Sequence, residues 1–141
     1  MKKHIFAILF AAVLAPFFAM HAQAQVLVIA NPGVKATEVS KGDLKDVFTG
    51  ASTSLKGGGH VTPVLQKGGP AHDVFLSSFV GKNDTALRAD WKTLVFSGQA
   101  TMPKTVDSDA AVVEYVAHTP GAVGYIGKFA AHDGVKVLTV E

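Results

Sequence analysis

Cysteine is absent from all 141 residues. No disulfide can brace the chain, no thiolate can act as nucleophile, and no lipid can be attached at a leader cleavage site. A packed core must therefore supply the stability. Charge of one sign is lacking too. Of the 13 Lys and Arg, two are Lys2 and Lys3, and without them the basic residues equal the 11 Asp and Glu. A nucleic-acid binder needs a basic surface, so no nucleic-acid partner is expected. There is no basic run, heptad pattern, low-complexity tail or internal repeat.

Catalytic and metal signatures are equally scarce. The histidines past the leader, His60, His72, His118 and His132, show no i,i+4 pair and no H-E-x-x-H context. A ligand set without a spacing signature stays open. No G-x-S-x-G elbow occurs, and Ser97-Gly98 reads as a helix end. No glycine-rich loop ends in Gly-Lys-Ser/Thr. We therefore expect no catalytic residue, no metal and no cofactor, and a chain that is not an enzyme.

What is present begins with a leader. Lys2-Lys3, the apolar run Ile5 to Met20 and Ala22-Gln23-Ala24 form the three parts of a cleavable signal, residues 1–24. Pro16 interrupts the run, which is too short for a comfortable membrane span. The expected product is a soluble, exported, non-lipidated domain of residues 25–141, placed in a bacterial periplasm.

The remainder alternates between strand and helix signals. Val26 to Ala30 is a continuous apolar run closed by Asn31-Pro32-Gly33, a buried strand and a turn. A helix follows from Ser40 to Gly50, with Ser40 as cap, Asp43 as a weaker capping-box acid, and Leu44, Val47 and Phe48 as its apolar face. Ala51 to Gly59 reads as a loop and Val61 to Leu65 as a strand. Pro70 starts a helix closed by Gly81, and Asn83 or Asp84 caps another with Leu87, Trp91, Leu94 and Val95 as its buried stripe. Gln99 to Asp107 reads as a loop. Asp107 or Ser108 caps a helix that Thr119-Pro120-Gly121 stops. Strands follow at Ala122 to Ile126, where Gly124 suggests a closely passing backbone, and at Val135 to Val140. Trp91 and the phenylalanines on helical stripes are assigned to the core. The order β-α-β-α-α-α-β-β implies an α/β fold with a mixed, mostly parallel sheet flanked by helices, and the first and last strands as candidate neighbours.

One local segment could hold a ligand. Lys67-Gly68-Gly69-Pro70-Ala71-His72 joins a strand to a helix start, where free N–H groups and the helix dipole favour an anion. Lys67 would add charge, and His72 a donor when protonated. Turn chemistry alone also explains the Gly and Pro. The hydroxyl-rich Thr49 to Ser54 segment reads either as a second wall of such a pocket or as a solvated loop. Asp107 and Asp109 read as acids at a helix N-terminus.

Thr119-Pro120-Gly121-Ala122-Val123-Gly124-Tyr125-Ile126 resembles the PGAIGY segment of the phosphate-binding proteins that serve ABC transporters. Leu44-Lys45-Asp46-Val47-Phe48-Thr49-Gly50 is similar to their L-x-x-I-F-x-G helix, and Leu27 to Pro32 to the hinge strand before their second lobe. Val61 to Phe75, Trp91 to Gly98 and Pro103 match in order and spacing. The resemblance implies one lobe of a type-II periplasmic-binding-protein fold. It further implies a non-enzymatic solute-binding protein for phosphate or another small oxyanion, with an ABC transporter permease or other periplasmic protein as partner. The anion-binding residues would be Lys67, Gly68, Gly69, Ala71 and His72. Where the family carries an arginine and then Ser-Gly-Thr, this chain carries Gln66 and then Gly69-Pro70-Ala71. A rival reading is an interaction module that docks on a protein partner. An enzyme such as a phosphatase would need a nucleophile that the sequence does not display.

Overall fold

The computed structural model describes residues 26–141. The expected leader at residues 1–24 lies outside the described residues. Among the described residues no helix is long and apolar enough to cross a membrane.

The chain runs β1 (Val26–Ala30), β2 (Glu38–Val39), α1 (Lys41–Thr49), β3 (Ser54–Leu55), β4 (Gly59–His60), β5 (Thr62–Gln66), α2 (Pro70–Phe75), α3 (Asp84–Phe96), β6 (Lys104–Val106), α4 (Asp109–His118), β7 (Ala122–Gly127) and β8 (Lys136–Val140). Six strands form one sheet in the order β2-β8-β1-β7-β5-β6, and β3 and β4 form a separate hairpin. β1 pairs antiparallel with β7 (Val26↔Gly127 to Ala30↔Val123) and with β8 (Val28↔Leu138). The β2–β8, β5–β6 and β5–β7 pairs are parallel. The sheet is thus mixed and mostly parallel, and the first and last strands are neighbours as expected.

Caps set the helix starts. The hydroxyl of Ser40 accepts from the Asp43 N–H at 3.1 Å, the Asn83 side chain from Ala86 at 2.8 Å, and Ser108 from Ala111 at 3.1 Å. Pro70 sits in the first turn of α2, which widens into a π-type turn over Leu76–Val80. Gly81, at φ +74°, ends it.

Helices cover both faces, so the central strands are apolar on both sides. On one face α1, α2 and α3 bring Phe48, Phe75, Leu87 and Trp91 against Leu65, Val123 and Tyr125. The Tyr125 ring stacks on Phe75 at 3.9 Å, with 3° between the planes. On the other face α4 lays Val112 and Val116 over Ile29, Val64 and Ile126. Each such side chain contributes roughly 1.5–3 kcal/mol of burial. A Cβ at Gly124 would lie 2.6 Å from Val112 Cγ1. The close approach expected at Gly124 is therefore made by a helix side chain, not by another backbone.

Four expectations are corrected. Ala51 to Gly59 contains β3 and the start of the short hairpin, and Gln99 to Asp107 contains the edge strand β6. Val95 is 40% exposed, because α3 turns it away from the Leu87–Trp91 stripe. Phe96, at the end of α3, projects into solvent rather than into the core.

Candidate functional site

β5 and β6 lie side by side and parallel, with Gln66 opposite Val106. Both therefore end on the same rim of the sheet. From β5 the chain passes to α2 on the Tyr125 face, and from β6 to α4 on the opposite face. The two turns diverge and leave a crevice at the carboxyl ends of the strands, the place where open α/β sheets bind ligands. A cleft of about 320 Å³ lies there. Gly68, Gly69 and Ala71 line one side of it, Asp107, Ser108 and Asp109 the other, with Gln66 and Gly127 also in the lining.

The turn after β5 is built by glycine. Gly69 has φ +101°, which a side chain would strain. Among the described residues no carbonyl or side chain accepts from the Gly68 or Gly69 N–H, and Ala71 is too early in α2 to have a helical partner. These N–H groups are open to a ligand. Lys67 extends the sheet by donating its N–H to Val106 O at 2.9 Å. Its ammonium stands beside the cleft and pairs with Asp107 at 3.0 Å. Both partners are exposed, so the pair holds Lys67 by only about 0–1 kcal/mol.

The structure brings Gly68, Gly69 and Ala71 together in the cleft, with Lys67 at its margin. It does not bring His72 there. The His72 ring is buried, 1% exposed. Nδ1 meets the Tyr125 hydroxyl at 2.5 Å and Nε2 meets Asp84 Oδ1 at 2.6 Å. The expectation that this ring supplies a donor to an anion is corrected, since both nitrogens are taken by the protein.

His72 belongs to a chain of buried polar groups. The Tyr125 hydroxyl accepts from the Gln66 N–H at 2.9 Å, which leaves its own proton for His72 Nδ1. His72 then donates Nε2–H to Asp84. Arg88 donates Nε–H to Asp84 at 2.9 Å and a guanidinium N–H to Gln66 O at 3.1 Å. Partial burial pushes the Asp84 carboxyl up, but the hydrogen bonds and charges of Arg88 and His72 outweigh it and hold the carboxyl below its ordinary range. Burial pushes the Tyr125 phenol far above its ordinary value, so it stays protonated. At the far end the Gln66 amide donates to Asp109 Oδ1 at 2.8 Å and to Tyr125 O at 2.9 Å.

The hydroxyl-rich loop is not a second wall. Ser52 and Thr53 line a different hollow with His60 and Trp91, beside Thr62 and Pro63 where β5 begins. Among the described residues no group of three or more His, Cys, Asp or Glu is placed to hold a metal ion. Gln66, Asp107, Ser108 and Asp109 were not expected as site residues. Their signal was a second strand-to-helix turn, which becomes visible once β6 is recognised.

No family model matches the chain, and no curated protein matches it. Solved structures do. A phosphate-bound protein from Clostridium perfringens, assigned as a phosphate ABC transporter substrate-binding protein, aligns at TM-score 0.62 and 18% identity over 82% of this chain and 44% of its own. PstS from Borrelia burgdorferi aligns at 0.61 and 17% identity over 83% of this chain and 47% of its own. An ABC-type phosphate transport receptor from Vibrio cholerae aligns at 0.54 and 15% identity over 82% and 46%. The chain spans less than half the length of each. These likenesses establish the fold: an α/β domain with a mixed, mostly parallel sheet flanked by helices, shared with substrate-binding proteins of phosphate ABC transporters.

Proposed function

We propose that the protein is an exported, non-enzymatic solute-binding protein that takes phosphate or another small oxyanion in the cleft between the two turns, without a cofactor. The carrying observation is the crevice itself: adjacent parallel strands β5 and β6 send their helices to opposite faces, and the unpartnered N–H groups of Gly68, Gly69 and Ala71 open into the gap. Hydrogen bonds from such groups to an anion contribute about 1.5–3 kcal/mol each when water is excluded. Lys67 adds a nearby positive charge. Within this reading Lys67, Gly68, Gly69 and Ala71 serve the anion, and His72 braces the turn from behind. A transporter permease or another periplasmic protein is the proposed partner, and residues 1–24 are the proposed export signal.

A second reading, a protein-interaction module, is favoured by the exposure of Phe96 (92%) and Phe129 (89%). Calorimetric titration with phosphate, with sulfate as control and at two salt concentrations, separates the two. Micromolar phosphate binding supports the solute-binding reading. No heat with either anion or with an organic phosphate, in folded protein, refutes it in favour of the interaction module.

A further inference from the structure

The cleft carries acceptors that a fully deprotonated oxyanion, which has no proton to donate, does not satisfy. Gln66 is 3% exposed and lines the cleft. Its amide nitrogen faces two acceptors, Asp109 Oδ1 and Tyr125 O. That fixes the amide orientation, because a flipped amide would turn its oxygen toward both of them. The Gln66 Oε1 then accepts from no group among the described residues, and no buried side-chain oxygen among them is sealed from solvent without a partner. Asp109 likewise spends only Oδ1 on Gln66, and its Oδ2 lies against Gly127, 3.0 Å from where a Cβ would stand. An unpartnered amide oxygen and a half-used carboxylate therefore sit in the same cleft as the free N–H groups of Gly68 and Gly69.

Charge points the same way. Asp107 and Asp109 bring two negative charges to the lining, and Lys67 returns one positive charge through its pair with Asp107. A bare dianion would meet the uncompensated Asp109 carboxylate at close range.

We propose that the ligand is a zwitterion, an oxyanion tethered to a protonated amine. The oxyanion takes the N–H groups of the Gly68–Ala71 turn, and the ammonium donates to Gln66 Oε1 and Asp109 Oδ2. An ammonium has three donors and no acceptor, which matches two oxygens and cancels the Asp109 charge. Gln66 and Asp109 are then the residues that set specificity. This inference rests on the solute-binding reading above and refines it.

The test is calorimetric titration of the protein produced from its full sequence with O-phosphoethanolamine, inorganic phosphate and phosphocholine. O-phosphoethanolamine is expected to bind about tenfold more tightly than phosphate. Phosphocholine keeps the positive charge but has no N–H, and should lose most of that advantage. Asp109→Asn, which still offers Gln66 an oxygen, should bring the ratio of O-phosphoethanolamine to phosphate affinity close to one. Phosphate binding at least as tight as O-phosphoethanolamine, or a ratio unchanged in Asp109→Asn, overturns the zwitterion assignment and leaves the solute-binding reading in place. Failure of all three ligands to bind folded protein removes both.

Discussion

Replacing Tyr125 with Phe deletes one oxygen and tests whether the buried polar chain holds the β5–α2 turn. The ring stays stacked on Phe75 at 3.9 Å, so apolar packing is conserved. What is lost is the acceptor for the Gln66 N–H and the donor for His72 Nδ1. Gln66 is 3% and His72 1% exposed, so water cannot readily replace the hydroxyl at either. Leaving a buried group unpaired costs about 1–3 kcal/mol, so the two together predict a loss of about 2–6 kcal/mol. That is a large share of the roughly 5–15 kcal/mol that stabilises a typical domain. Trp91 is the sole tryptophan and is buried, so its fluorescence reports urea unfolding directly. With a slope of about 1–3 kcal/mol per molar urea, the midpoint should fall by at least about 0.7 M. A cycle with His72→Phe should show coupling of about 0.5–3 kcal/mol, because both changes act on one bond. A midpoint shift within about 0.2 M would refute the argument, since it would mean that Gln66 N–H and His72 find other partners at no cost.

Other consequences are independent of that chain. Gly124→Ala places a methyl 2.6 Å from Val112 Cγ1 and should cost about 1–3 kcal/mol in the same urea assay; adding Val112→Ala should recover part of the loss, and additive costs would contradict the overlap. The Asp84 carboxyl has a lowered folded pKa, so its contribution is present above the ordinary value of 3.8 and lost as pH falls through the lower folded value. Thermal melts of wild type and Asp84→Asn should therefore draw together as pH falls below the ordinary value of 3.8, and a gap that does not narrow on acidification would contradict the assignment. Tyr125 behaves oppositely: its folded value is raised, so stability is full below the ordinary value of 10.0 and declines as pH rises beyond it, less steeply in Tyr125→Phe. Lys67→Ala should weaken phosphate binding several-fold and flatten its salt dependence, as a contact worth about 1 kcal/mol would; unchanged affinity removes Lys67 from the site.

The features legible in the sequence are those written in consecutive residues. Ser40, Asn83 and Ser108 announce their helices because a cap is a contact across three residues. Val26 to Ala30 announces a central strand because helices on both faces of the sheet require an uninterrupted apolar run. β6 left no such trace. Its three residues, Lys104–Val106, are too few to show an alternation, and they become a strand only by pairing with Val64 to Gln66. His72 misled for a similar reason. A histidine in the first turn of a helix ordinarily faces water, and this one is buried because Tyr125 stands 53 residues away in the chain.

The missing strand mattered more than its length suggests. With β6 unseen, Asp107 and Asp109 were acids at one helix start, and Lys67 to Ala71 was a solitary glycine turn. Pairing β5 with β6 places the two turns face to face, with N–H donors on one side and carboxylates on the other. A site divided in this way has no local motif, because each half is an ordinary βα turn with its own sufficient explanation. Gln66 spans the halves from within, as the Lys67–Asp107 pair does at the margin. Its backbone belongs to β5 and is held by Tyr125 and Arg88, while its amide crosses to Asp109 on α4. A neutral amide there does what an arginine would not: it orients a carboxylate without cancelling its charge, and it keeps one oxygen free to accept. Gln66 thus sets an acceptor beside the N–H donors of the Gly68–Ala71 turn.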